Sequence, residues 1–228
     1  MARMNTPHGV RGAAAQAAAF HARERVRSLR DPAAGLFVTH RFALGSIIDE
    51  GTAFPSAAAP FTFAVDVRAT GPSLNGLVFE IGGSTNGTAF LFDNLNGRVA
   101  FASGGPRGED FGATAFWTGF DFAKGATGPL HRFVGAVNPG RGVVNLWHNG
   151  VLVAAAKSVG GAFVLFDANG GAVGAGEDEI TNRPGIDAAV NLADGTLVGP
   201  LRVFYRQLPR QMLNNGLGVD EGSGAWAN

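Results

Sequence analysis

HRFVGAVNPGRGVVNLWHNGVLVAA, residues 131–155, reads as three consecutive antiparallel strands joined by two different tight turns. Phe133, Gly135 and Val137 alternate with Val134, Ala136 and Asn138, the period of two that a strand imposes on its side chains. Pro139-Gly140-Arg141-Gly142 turns the chain, and Val144, Leu146 and His148 resume the alternation. Asn149-Gly150 then starts a second hairpin, because a type I′ turn needs positive φ at both central residues and its twist matches the strands it joins. Closing the first turn pairs residue 133 with residue 148 and brings His131 and His148 towards each other. The same register sets Phe133, Val137 and Leu146 on the core face and Asn145 and Trp147, beside Val134 and Ala136, on the other.

The rest of the 228-residue chain agrees with a β protein: 18 Phe, 35 Gly, 46% apolar and only 16% charged residues. That length buries one sizeable core, and all-β sandwiches of this size are commonly single domains. Cysteine is absent, which excludes disulfides, thiolate catalysis and thiolate metal sites. No apolar run is long enough to span a membrane as a helix, so membrane insertion is not expected.

Net charge is zero, yet residues 1–30 hold six Arg against one Glu, which leaves the remainder at a formal −5. Between 13 and 30 the pattern is helical, with Ala15, Ala19, Ala22, Val26 and Leu29 on one narrow stripe and Asp31-Pro32 ending it. An alanine stripe buries little area, so this basic arm over residues 1–32 needs a partner to be stable. Arg23, Arg25, Arg27 and Arg30 are its candidate contacts with another subunit. The apolar core of this arm is too short, too alanine-rich and too closely followed by Arg for a secretory signal, and without aromatic interleaving no nucleic-acid partner is expected.

Residues 33–60 read as a connector with an edge strand. Strands follow at 61–68, 77–82, 88–92 and 98–102, with Asn75-Gly76, Asn86-Gly87 and Asn96-Gly97 at their junctions. Turn signals about every ten residues mark a sandwich or barrel. A Gly-rich loop at 104–112, an aromatic segment with Phe116, Trp117, Phe120 and Phe122, and further strands at 163–166, 172–174 and 201–205 extend the domain to 214, leaving a tail at 215–228.

Leu146-Trp147-His148-Asn149-Gly150, Val173-Gly174 and Gly199-Pro200-Leu201-Arg202-Val203-Phe204-Tyr205 with Leu208 resemble, in order and spacing, the second half of laminin-G-like and concanavalin A-like jelly rolls. The resemblance covers 61–214 loosely and 131–208 more closely. It implies an all-β, two-sheet antiparallel jelly-roll sandwich, with a ligand site on the concave face or rim and in some members a calcium ion. It implies no particular activity, since the fold hosts lectins, adhesion modules, hydrolases and structural domains.

Catalytic patterns are missing from the residues. Retaining glycosidases need two carboxyls ~5 Å apart, which on this fold sit in a Glu-x-Asp-x-x-Glu strand that this chain lacks. Glu177-Asp178-Glu179 is the nearest cluster and reads as a solvated loop. Gly82-Gly83-Ser84-Thr85-Asn86 is not a nucleophile elbow, and neither Gly-rich stretch completes a phosphate loop. Calcium, which takes oxygens from irregular loops, has candidate ligands in Asp167, Asn169, Glu177, Asp178 and Glu179; no other cofactor is expected. His131 and His148 alone make an incomplete transition-metal site.

Trp147 and Asn145 have two readings. An indole beside an amide suits a sugar platform, with Trp117 as a further ligand-binding candidate. Alternatively, the aromatic segment around Trp117 covers Trp147 and makes a second small core. Together these features predict a non-enzymatic interaction subunit of a larger assembly, such as a virion surface, decoration or appendage protein. That reading places it on a particle surface, joined to other subunits through its arm. A glycan-binding lectin-like adhesion module is the alternative, and a divergent carbohydrate-active enzyme the third reading.

Overall fold

Asn-Gly and Pro-Gly turns cut the chain into short strands, and alternation of large and small side chains gives each strand a core face. The structure, a computed structural model, describes residues 40–48, 56–83, 85–105, 112–123, 129–166, 170–174 and 191–205. Its strands are β1 (His40–Phe42), β2 (Ile47–Ile48), β3 (Phe61–Ala69), β4 (Gly76–Gly82), β5 (Gly87–Asp93), β6 (Arg98–Gly104), β7 (Gly112–Trp117), β8 (His131–Asn138), β9 (Val143–His148), β10 (Val151–Lys157), β11 (Gly171–Val173), β12 (Gly195–Leu197) and β13 (Leu201–Phe204). They form two antiparallel sheets. The larger runs β1-β13-β3-β8-β9-β10, with β12 also on β3; the smaller runs β2-β11-β4-β5-β6-β7. The connector thus supplies one short strand to each sheet. The arm at 1–32, including Arg23, Arg25, Arg27 and Arg30, and the tail at 215–228 lie outside the described residues.

The three-strand reading of residues 131–155 matches the structure in register: Phe133 faces His148, Val134 faces Trp147, and β9 pairs with β10. Asn149 and Gly150 take φ of 48° and 81°, as a type I′ turn requires. The β8–β9 turn is a short 3-10 segment whose first turn is capped by the Asn138 side chain, accepting from Arg141 N at 3.1 Å, and closed by Gly142 at φ 65°. The β5–β6 hairpin repeats the device with Asp93 and Gly97.

Phenylalanine fills the space between the sheets. Phe63 of the larger sheet meets Phe79 and Phe101 of the smaller edge-on at 4.8 Å, and Phe133 meets Phe90 at 5.1 Å and Phe92 at 5.6 Å. Such edge-to-face and tilted geometries add attraction between ring edges and ring faces to the area they bury. Phe133, Val137 and Leu146 all belong to this core.

Residues 163–166 are not a strand. Phe163, Leu165 and Phe166 are buried, but their hydrogen bonds go to irregular segments: Phe163 N to Pro139 O and Leu165 N to Ala57 O. Leu165 O in turn accepts from the buried Thr88 hydroxyl, itself 2.7 Å from Ser103 Oγ. Apolar alternation there reflects burial against the sandwich rather than a ladder. Conversely, β7 opens on the four small residues 112–115 and β12 holds one large apolar residue, Leu197, which hid them from the pattern.

Candidate functional site

Strand register builds the outer face of the larger sheet. Arg41, Arg202, Ala64, Val134, Trp147 and Leu152 form one cross-strand row, each opposite the next. Asn145 and Ala136 lie in the neighbouring row on one side, Asp66 and Arg132 on the other. All have the parity opposite to the core residues Phe63, Phe133, Leu146 and Val203.

An ion cluster lies at the centre of this face. Asp66 is wholly buried, with its Oδ1 accepting from Arg132 Nε at 3.2 Å and its Oδ2 3.9 Å from Arg202 Nη2. Arg41, Arg68 and Lys157 add exposed cations at the flanks. Among the described strand residues of this face, five cations therefore stand against one carboxylate. Asp66 was readable as a signal: in FTFAVDVR an acid at an otherwise apolar strand centre needs a buried partner.

Trp147 sits on this outer face as the register predicts, but it is only 4% exposed and offers no open platform. Asn145 beside it is half-buried. Trp117 does not cover it. The Trp117 ring lies on the inner side, 4.7 Å from the His148 ring and 5.8 Å from Phe120. The three ligand-binding candidates are thus split between the two faces of the sheet.

At that inner end the two histidines meet. His131 Nδ1 and His148 Nε2 are 3.1 Å apart, within an aromatic nest of Trp117, Phe120 and Phe133. Burial lowers the pKa of His131; burial, and then the neighbouring His131, push His148 down to about 4. Both imidazoles are therefore neutral at pH 7.

On the smaller sheet, Phe116 is partly exposed and carries the Arg98 guanidinium 4.1 Å above its ring centre. Arg98 Nε also donates to the buried Asp93 at 2.7 Å, and the Asn96 amide donates to both Asp93 oxygens at 3.0 Å. The calcium candidates Asp167, Asn169, Glu177, Asp178 and Glu179 lie outside the described residues. Among the described residues no three His, Cys, Asp or Glu come together as a metal site.

No protein-family profile and no curated protein matches this chain. Solved structures do match. The carbohydrate-binding CBM40 module of Ruminococcus gnavus IT-sialidase, bound to α2,6 sialyllactose, superposes with a TM-score of 0.57 at 15% identity, over 80% of this chain and 98% of that one. The fold is the concanavalin A-like jelly roll. The leech intramolecular trans-sialidase matches with a TM-score of 0.56 and 18% identity over 81% of this chain and 28% of its own length. NanB sialidase from Streptococcus pneumoniae gives 0.54 and 14% over 79% and 28%. At these identities the jelly-roll likeness is one of fold alone.

Proposed function

We propose that this chain is a non-catalytic glycan-recognition module that receives an acidic sugar on the outer face of its larger sheet. The observation that carries this reading is the charge of that face: among its described strand residues, Arg41, Arg68, Arg132, Lys157 and Arg202 stand against Asp66 alone. Guanidinium groups match carboxylates in planar, bidentate geometry, and exposed Arg41 and Arg68 are accessible to a ligand. The R. gnavus modules of the same fold hold sialyllactose, a sugar with such a carboxylate. Of the three buried carboxylates among the described residues, Asp66, Glu80 and Asp93, two are engaged by arginine, which fits a binding role better than acid–base work for those two.

Calorimetric titration of the full chain with α2,3 and α2,6 sialyllactose, with lactose as control, tests it. Saturable binding of the sialylated sugars only, weakened about tenfold or more in an Arg41→Glu/Arg68→Glu variant, is the expected result. Equal responses to lactose, or no loss in the variant, would overturn it.

A second reading, a subunit of a larger assembly such as a virion surface or decoration protein, draws on a different observation. β10 is an edge strand that leaves Val151 64% and Leu152 40% exposed, and such edges favour pairing with another chain. Val151→Lys combined with Leu152→Lys should then leave a folded chain that no longer joins its particle; retained assembly would sink the idea.

A further inference from the structure

We propose that His131 and His148 form an acid-operated latch at the end of the larger sheet, in which one shared N–H ties the start of β8 to the end of β9 beneath Trp117, and an added proton breaks the tie and releases the Trp117 ring.

The tautomers follow from the surroundings. His131 Nε2 is buried and has no hydrogen-bond partner among the described residues. A hydrogen there would be a stranded donor, so the His131 proton sits on Nδ1 and is donated to His148 Nε2, 3.1 Å away. His148 then carries its own proton on Nδ1. This neutral pair has no comfortable place for another proton. On His148 Nε2 it would set two N–H groups head to head; on His131 Nε2 it would bury a charged donor without a partner.

Among the described residues, the side chains packed against the pair carry no charge. Trp117 comes from β7, Phe120 from the segment after it, and Phe133 and Leu146 from β8 and β9 on the same face. Val67 of β3 lies opposite His131, while Asp66 and Arg132 alternate to the other face and bind each other there. Asp121, between Phe120 and Phe122, is exposed. Burial is the first cause lowering both imidazoles, with His131 the second for His148, so no carboxylate holds either in its charged form. Trp117 depends on the latch because its ring rests on His148 at 4.7 Å, and the edge of that ring closes against Gly119, where a Cβ would lie 2.5 Å from the indole nitrogen.

Side-chain NMR of the full chain, titrated from pH 7.5 to 4, tests this. The His148 imidazole and the Trp117 indole N–H should shift together at a midpoint well below the usual histidine value, while amides of β4 and β5 keep their positions. In His148→Phe the Trp117 signal should lose its pH dependence. In His131→Gln, whose amide can still donate to His148, the coupling should persist with a higher midpoint, because the second imidazole that lowers His148 is gone. A Trp117 signal that ignores pH in the wild-type chain, or that titrates unchanged in His148→Phe, overturns the latch. So does loss of all signals together at a midpoint His148→Phe does not move.

Discussion

Gly135 of β8 lies opposite Phe63 of β3, and the Phe63 ring, joined by Phe101 from the other sheet, occupies the space a side chain at 135 would need. The backbone at 135 is ordinary extended strand, so the constraint is packing rather than conformation. Gly135→Ala should therefore cost about 1–3 kcal/mol, the usual range for overpacking a filled core. Urea unfolding should show a lower midpoint with an unchanged slope.

The two β-hairpin glycines at 140 and 150 should answer differently to the same change. Gly150 has φ of 81°, which an L side chain adopts only with strain, so Gly150→Ala should cost about 1 kcal/mol. Gly140 sits in the 3-10 turn with only Asn138 Oδ1 at 3.8 Å from its would-be Cβ, and Gly140→Ala should be close to neutral. Thermal unfolding of both variants beside the wild type measures the contrast.

What the sequence revealed was local. Alternation from Phe133 to His148 and the φ demands of Asn149-Gly150 act within a few residues, so register, core face and the approach of the two histidines were all readable from them. The stretch 163–166 shows the limit: an apolar alternation reports burial, but whether backbone groups find a ladder depends on Pro139 and Ala57, remote in sequence. Trp147 and Trp117 fail for a related reason. Parity gives the face of each indole, whereas burial of Trp147 and the stacking of Trp117 on His148 depend on how separate strands meet. β7 escaped because Gly112, Ala113, Thr114 and Ala115 are small, which suits the close inner packing of Ala113 and Ala115 and leaves little hydrophobic signal.

The Asp66 cluster makes a sharp stability prediction. Removing its carboxylate leaves Arg132 and Arg202, whose side chains are 14% and 5% exposed, facing each other's charge across β3. Breaking a buried pair from one side costs about 3–5 kcal/mol, so Asp66→Ala should be severely destabilised. Asp66→Leu combined with Arg132→Met should recover part of that loss, since it removes one of the two stranded charges. Denaturant midpoints of the single and double variants, compared as a cycle, measure the coupling.

The histidine pair predicts how stability as a whole responds to pH. The fold lowers His148 from the usual 6.5 to about 4 and lowers His131 as well, so between those values the unfolded chain binds more protons than the folded one. Unfolding free energy must then rise with pH across that window and level off above it, as far as these groups are concerned. The pair is half-buried and partly screened, so the contribution lost on acidification from 6.5 to 4 should be about 1–2 kcal/mol. His148→Phe should flatten the slope between pH 6.5 and 4, read from urea midpoints at half-unit pH steps.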